Sequence, residues 1–138
     1  METSKARERS CWLDQRCMLT YDSNPLHATE SPAAIVQPTP IMHGLYTWNS
    51  VCRGILAKLC DSDPTALKYF QARFASPVRP GDTLVTDVWV CDKVDVKGVE
   101  GEWREVRFCT SVQGGKVCLT NGSAVVRCTV RALLSSKL

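Results

Sequence analysis

The chain has 138 residues, which fits one domain, and it is 44% hydrophobic and 22% charged, as is ordinary for a globular protein. The formal net charge of +3 arises from basic residues scattered along the sequence, a balance too mild to indicate nucleic-acid binding. No apolar run approaches the roughly 18 residues of a membrane span. We therefore expect no nucleic-acid partner and no membrane span.

The eight cysteines contain no C-x-x-C pair, so a zinc or redox motif is not indicated. An even count permits disulfides, but residues 1–15 are charged and polar and lack the apolar core of a secretory signal. Several cysteines lie within apolar patterns, where a thiol behaves as a small hydrophobe. We expect reduced, mostly buried thiols. The two histidines complete no ligand set, so neither a metal nor a cofactor is expected.

The N-terminal part of the chain is predicted to hold little regular structure. Residues 1–15 are expected to be poorly ordered, and residues 134–138 to form a tail after a single domain at 16–133. Residues 21–40 carry Pro25, Pro32, Pro38 and Pro40 and are predicted to be mostly loop. A loop of this length inside a compact domain is usually functional.

A central helix is predicted between residues 43 and 59. Apolar residues recur there at spacings of three and four, at Leu45, Trp48, Cys52, Ile55 and Leu59. This is the pattern of an amphipathic helix, and its aromatic content favours deep burial.

About four antiparallel strands are predicted to follow, at 67–75, 84–91, 103–112 and 117–130. The residues between 79 and 82, and Gly114-Gly115, read as turns, and Asn121-Gly122 marks a bulge or turn. One apolar helix requires a sheet to cover it, which predicts an α+β chain with a twisted antiparallel sheet wrapped round the helix. That arrangement is the hotdog fold. Its exposed sheet edge favours a homodimer.

The last three residues are Ser136, Lys137 and Leu138. A C-terminal S-K-L is the signal read by the peroxisomal import receptor. We therefore expect this receptor as a partner and the peroxisome as the location.

Four segments resemble the MaoC-like dehydratases and the type 2, R-specific enoyl-CoA hydratases. The stretch from Asp22 to His27, DSNPLH, is similar to the hydratase motif of that family. PIMHGL at 40–45, RFASPVRPGDTL at 73–84 and the hairpin segment at 117–122 match further family segments in the same order. The chain resembles only the catalytic half of the two-hotdog peroxisomal hydratases.

The resemblance implies a hotdog fold and an enzyme that adds water to, or removes it from, an acyl thioester. It implies catalytic roles for Asp22, Asn24, His27 and Gly44. Asp22 and His27 are types of side chain that exchange protons with water, and the Gly44 N–H at a helix start suits an oxyanion. Taken alone, Asp22-Ser23-Asn24-Pro25 reads as an Asx-turn.

Five further positions are predicted to bind substrate: Tyr21, His43, Tyr46, Asn49 and Cys52. For His43 a structural hydrogen bond is favoured over proton transfer, and for Cys52 a place in the core is favoured over the pocket. Tyr21 stands where the family usually has glycine, and residues 36–39 also depart from its pattern. Both departures lie next to the expected acyl pocket.

The predicted function is that of a hydro-lyase acting across the 2,3 bond of an acyl-CoA, in fatty acid metabolism. Two alternatives stay open. One is a specialised biosynthetic dehydratase acting on a branched or polyketide-derived thioester. The other is a non-catalytic hotdog that binds acyl-CoA. The physiological direction, hydration or dehydration, is not fixed by these residues.

Overall fold

The computed structural model describes the backbone of residues 4–11 and the whole of residues 41–129. Its elements in chain order are β1 (Ser4–Cys11), α1 (Gly44–Leu59), a 3-10 turn (Pro64–Ala66), β2 (Leu67–Phe74), β3 (Thr83–Lys93), β4 (Trp103–Val112) and β5 (Val117–Arg127).

The five strands form one sheet in the order β1-β3-β4-β5-β2, and every neighbouring pair is antiparallel. Strands β3, β4 and β5 follow one another directly, whereas β2 joins the far side of β5. Among the described strands, β1 and β2 are therefore the two edges of the sheet. The predicted α+β architecture, with one long helix against an antiparallel sheet, is confirmed.

Helix α1 packs one face on the sheet to form the hydrophobic core. Its buried residues recur at positions i, i+1, i+4 and i+5, a stripe wide enough to cover a sheet face. From the helix the core takes Val51, Cys52, Ile55, Leu56 and Leu59. The facing strand residues include Val88, Val106, Phe108, Leu119, Ala124 and Val126. This confirms the predicted buried helix.

The first turn of α1 departs from the predicted burial. Leu45, expected on the apolar stripe, is 58% exposed. At about 100° per residue it points within about 20° of the direction of Cys52, which is buried. Leu45 thus has the predicted direction, but in the first turn of the helix it is exposed.

Strand β1 corrects the expectation that residues 1–15 are poorly ordered. Ser4–Cys11 pairs antiparallel with β3 over eight residues, from Ser4 opposite Val90 to Cys11 opposite Thr83. Its charged sequence gives a weak local strand signal. The strand depends on the free edge of β3, more than 70 residues away in the sequence, with which it pairs. The domain limits at 16 and 133 stay predictions.

The predicted irregularity at Asn121-Gly122 is a β-bulge. Strand β5 pairs Gly122 with Phe108 and Leu119 with Thr110, so Thr120 and Asn121 together oppose one residue of β4. Asn121 has a φ of 50°, a left-handed conformation that asparagine tolerates. A Cβ on Gly122 would stand 2.4 Å from the carbonyl oxygen of Phe108. Glycine is required there because the neighbouring strand comes so close.

The six cysteines whose side chains are described are free thiols. Cys52, Cys60, Cys118 and Cys128 are buried and two are half-buried, which confirms the expectation of mostly buried thiols. Burial raises the pKa of Cys60 to about 12. Among the described residues, no helix is long and apolar enough to cross a membrane.

Candidate active site

The N-terminal end of α1 is the first component of the candidate site. His43 precedes the helix in an extended conformation, and its carbonyl accepts hydrogen bonds from the N–H groups of Tyr46 (3.0 Å) and Thr47 (3.3 Å). The N–H groups of Gly44 and Leu45 belong to the opening turn, which has no intrahelical acceptor for them. With the helix dipole, these donors favour a negatively charged oxygen at this end.

A cleft of about 370 Å³ opens beside this helix end. One side is formed by the residues at the start of α1 and the other by the end of β2 with the segment that follows it. The lining residues are Ile41, Met42, Gly44, Thr47, Phe74, Ala75, Ser76, Pro77, Val78 and Cys118. The walls are mostly apolar, which suits a hydrophobic acyl chain.

The Phe74 ring lies close to Gly44, and both residues line the cleft. A Cβ built on Gly44 would stand 3.2 Å from Cε1 of the Phe74 ring, tighter than nine in ten real Cβ contacts. The ring itself is 52% exposed, which is unusual for phenylalanine in a monomer. The glycine therefore permits the close approach of the ring to the start of α1.

Backbone hydrogen bonds fix the walls of the cleft. The Met42 N–H donates to the Val78 carbonyl at 2.7 Å, and the Ala75 N–H donates to the Cys118 carbonyl at 2.9 Å. The segment 75–78 is thereby tied to the start of α1 on one side and to β5 on the other. The site is held by the same hydrogen bonds that hold the fold, so its geometry is preorganised.

The lining residues supply backbone donors and apolar surface but no group suited to proton transfer near neutral pH. The Cys118 thiol donates to the Thr110 carbonyl at 3.4 Å, and burial raises its pKa to about 11. It is therefore a neutral thiol at neutral pH. Within the described residues, no group of three or more His, Cys, Asp or Glu side chains is placed to hold a metal ion.

Most of the predicted catalytic residues cannot be located here. Tyr21, Asp22, Asn24 and His27 lie outside the described residues, as do Ser136, Lys137 and Leu138. Of the four predicted catalytic positions, the structure places Gly44 alone, and it places that residue in the cleft. The roles of the other three stay predictions.

The other predicted substrate-binding residues of α1 do not line this cleft. Asn49 is exposed, Tyr46 is half-buried against the core, and Cys52 is a buried core residue. Cys52 therefore occupies the place that the core alternative predicted. The helix rotates by about 100° per residue, so three- and four-residue steps from Gly44 lead to Thr47 and Trp48, and only Thr47 lines the cleft.

Several cleft residues were not predicted from the sequence: Met42, Thr47, Phe74, Val78 and Cys118. Thr47 had a detectable signal, because it is a polar residue three positions after Gly44 on the helix. Phe74 and Val78 were part of a quoted segment but were not assigned to the site. Their contribution depends on β2 returning beside the helix start, a long-range pairing that local pattern does not reveal.

Comparison with known proteins identifies the family. The model of the MaoC-like domain matches residues 17–110. The probable dehydratase NIT22 of Ajellomyces capsulatus is 40% identical over 116 residues, which is 80% of this chain and 30% of that protein. The peroxisomal enoyl-CoA hydratase 2 of Arabidopsis thaliana is 41% identical over 73 residues, which is 52% of this chain and 24% of that protein. This chain thus spans less than a third of either relative.

A solved structure supports the same assignment. The (R)-hydratase of A. caviae involved in PHA biosynthesis is similar with a TM-score of 0.67 and 26% identity, covering 94% of this chain and 98% of that one. This similarity confirms the hotdog fold that the sequence predicts. Since the family model covers well over half of the sequence, the chain belongs to the MaoC-like domain family.

Proposed function

We propose that the chain is a hydro-lyase that adds or removes water across the 2,3 bond of an acyl-CoA thioester. The observation that carries the proposal is the apolar cleft at the start of α1, which Gly44 lines from the first turn of the helix. Membership of the MaoC-like family and relatives named enoyl-CoA hydratase and (R)-hydratase support it. By analogy with the (R)-hydratase, the hydration product has the R configuration.

The chemistry requires three contributions to the reacting thioester. Water must be activated for attack at the β-carbon, a proton must reach the α-carbon, and the enolate-like charge on the thioester oxygen must be stabilised. We assign the first two to Asp22 and His27, with Asn24 orienting one of the partners. Dehydration is the same path in reverse.

The third contribution falls to the start of α1. The Gly44 N–H, supported by the positive end of the helix dipole, donates a hydrogen bond to the thioester oxygen as that oxygen gains negative charge. Met42, Phe74 and Val78 form the apolar walls along which the acyl chain lies. Because the walls exclude water, the hydrogen bond to the oxyanion is stronger than it is in solvent.

A second copy of the chain is proposed as a partner. Strand β2 is an edge of the sheet, and it carries two large apolar side chains that are half exposed, Tyr69 at 46% and Phe74 at 52%. Leu45 lies exposed at the start of the helix. An exposed strand edge with apolar side chains invites pairing with another strand, and a homodimer through β2 covers these groups.

The test follows the absorbance of a 2-enoyl-CoA series, since hydration removes the conjugated double bond. Purified protein is expected to hydrate at least one chain length. Asp22→Asn and His27→Ala are each expected to lower kcat by roughly 10²- to 10⁴-fold, as for the loss of a general acid or base, while the circular dichroism spectrum is retained.

Asp61→Asn is the matched control. Asp61 is exposed just after the far end of α1, and asparagine tolerates its φ of 49°. This variant is expected to keep the activity of the parent. Full activity in both Asp22→Asn and His27→Ala contradicts the assignment. Binding of enoyl-CoA without hydration at any pH favours the non-catalytic acyl-CoA-binding alternative.

A second candidate is a dehydratase with a branched or polyketide-derived thioester as its substrate. NIT22, a relative matched over 80% of this chain, is named a probable dehydratase, and Tyr21 departs from the glycine usual in the family. A panel of 3-hydroxyacyl and 2-enoyl thioesters separates the two candidates. High activity on straight-chain 2-enoyl-CoA argues against specialisation.

We also propose that the protein resides in the peroxisome. The Arabidopsis relative is named as peroxisomal, and the sequence carries Ser136-Lys137-Leu138 as the expected signal. A fluorescent protein fused to the N-terminus is expected to colocalise with a peroxisomal marker, and deletion of these three residues is expected to disperse it. Unchanged colocalisation after the deletion contradicts this signal.

A further inference from the structure

A second cleft, of about 440 Å³, lies next to the first and shares Ser76 and Pro77 with it. The two clefts are therefore neighbours along the same surface, divided by one short segment. Their chemistry differs. The first is apolar, whereas the second is lined by the charged residues Arg79, Asp82 and Lys116.

Arg79 is held by a tight turn. The Arg79 N–H donates to Oδ2 of Asp82 at 2.8 Å, and the Asp82 N–H donates to the Arg79 carbonyl at 3.1 Å. Gly81 has a φ of 90°, which glycine adopts without strain. The backbone that carries the Arg79 side chain is thus fixed by two hydrogen bonds within the turn.

Lys116 is held by the hairpin turn between β4 and β5. The Val112 N–H donates to the Lys116 carbonyl at 3.0 Å, and the Gly115 N–H donates to the Val112 carbonyl at 2.9 Å. A third hydrogen bond, from the Gln113 N–H to the Thr83 carbonyl at 2.8 Å, ties the turn to β3. Both cations therefore extend from ordered turns that border one cleft.

Among the described residues, the two cations form no ion pairs. Arg104, Arg107 and Arg127 each form a salt bridge with a carboxylate. Over the part of the chain that the structure describes, neither Arg79 nor Lys116 has such a partner. Asp82 lines the same cleft, but one of its carboxylate oxygens already accepts the Arg79 N–H. The described charged groups of the cleft give a net positive charge.

We propose that this second cleft binds the nucleotide phosphates of coenzyme A when the thioester lies in the first cleft. The inference rests on the proposed function and deepens it by assigning a site to the phosphates of the carrier. In an acyl-CoA the pantetheine arm separates the thioester from the phosphates, and here it crosses the shared segment Ser76–Pro77. Arg79 offers a planar fork of donors to phosphate oxygens, and Lys116 offers a compact charge.

The experiment compares a 2-enoyl-CoA with the pantetheine thioester of the same acyl group, which has no phosphate. The proteins are the parent, the double variant Arg79→Ala/Lys116→Ala, and Lys58→Ala as a matched control. Lys58 is an exposed cation in the last turn of α1, about 20 Å along the helix from Gly44. Both cleft substitutions keep the backbone N–H and carbonyl groups that hold the turns.

In the double variant, kcat/KM for the CoA thioester relative to the pantetheine thioester is expected to fall by about tenfold, as for two exposed ionic contacts. The fall is expected to lie in KM and to shrink at high ionic strength. Lys58→Ala is expected to keep the parent ratio. Arg79→Lys/Lys116→Arg, which conserves both charges, is expected to restore most of it. A dephospho-CoA thioester lacks only the 3′-phosphate, so its kcat/KM distinguishes contacts to that group from contacts to the diphosphate.

Failure of the inference and failure of the proposed function have different signatures. If the parent hydrates both thioesters and the double variant keeps the parent ratio, the phosphate site is wrong and the activity stands. If the parent hydrates neither, the activity is wrong, and calorimetric binding of free coenzyme A decides the inference. Equal affinity of the parent and the double variant for coenzyme A then overturns it, and at least fivefold weaker binding by the double variant supports it.

Discussion

The two ends of α1 differ in side-chain exposure and in hydrogen bonding. At the C-terminal end, Leu59 is 4% exposed and its carbonyl accepts hydrogen bonds from both the N–H (3.0 Å) and the hydroxyl (3.4 Å) of Thr129. At the N-terminal end, Leu45 is 58% exposed, and the opening turn borders a cleft. We therefore call the C-terminal end of α1, at Leu59, the sealed end and the N-terminal end, at Leu45, the open end.

Residues from several elements form hydrogen bonds at the sealed end. The N–H groups of Cys60 and Ser62 both donate to the Leu56 carbonyl, at 2.8 and 3.1 Å. Asp63 accepts a hydrogen bond from Arg127 of β5 at 3.0 Å. Most of the stability of a helix comes from such tertiary packing. Because the contacts at the sealed end stabilise the helix, the open end does not need equivalent contacts. The N–H groups of the opening turn are the ones suited to binding an anionic oxygen.

Leu59→Ala is expected to give the largest effect on stability. It removes a buried side chain from the sealed end and should lower the free energy of unfolding by about 3 kcal/mol. Urea unfolding followed by tryptophan fluorescence measures the change. Turnover per folded molecule is expected to stay near that of the parent. A loss below about 1 kcal/mol would show that the sealed end contributes less than its burial indicates.

Gly44→Ala is expected to act on the open end instead. The added methyl group would stand 3.2 Å from the Phe74 ring, so either the ring or the substrate must shift. A displacement of about 1 Å at a reacting group costs on the order of 100-fold in rate. We expect kcat/KM for a 2-enoyl-CoA to fall by about that factor, with little change in urea midpoint. Near-parent activity would exclude a close approach of substrate to this N–H.

Asp63→Asn tests the charge at the sealed end. The hydrogen bonds from the Thr65 hydroxyl and N–H, and then Arg127, lower the pKa of the Asp63 carboxyl. A lowered folded pKa stabilises the protein above the unfolded pKa, and this contribution is lost as the pH falls through the folded value. The parent is therefore expected to be slightly more stable than Asp63→Asn near neutral pH. The difference should close below about pH 4, as measured by urea midpoints. If the difference in stability between the parent and Asp63→Asn does not change with pH, it does not arise from the charge of Asp63.

Leu45→Ala is expected to give the smallest effect. An exposed leucine contributes little to the core, so the free energy of unfolding should change by less than about 0.5 kcal/mol. Dilute protein is used so that association does not contribute. The matched comparison is Leu59→Ala, the same substitution at the other end of the same helix. Similar losses in the two variants would contradict the difference between the ends.

Elements governed by local pattern were predicted well from the sequence. The helix begins within one residue of the prediction, and β4 occupies the predicted residues 103–112. A bulge or turn was predicted at Asn121-Gly122, and the structure has a bulge there. In each case neighbouring residues carry the physical cause, so the sequence is sufficient.

Features that depend on distant partners were not predicted. The strand β1 forms because the edge of β3 is free, and its own charged sequence gives little sign of it. Phe74 enters the cleft because β2 pairs with β5, opposite Leu119, and so returns beside the helix start. Gly44 lies at the start of α1 and lines the cleft, a location that the local helix pattern predicts, while its catalytic role stays a prediction. Asp22, Asn24 and His27 stay predictions that mutagenesis can test.

The buried thiols have a practical consequence for studying the motions of this protein. Cys60, Cys118 and Cys128 are each at most 6% exposed, and burial raises the pKa of each of them. A thiol reagent needs access to a thiolate, so it can modify these sulfurs only when the core opens. The rate at which a thiol reagent labels each of these cysteines therefore reports how often that part of the core opens to solvent.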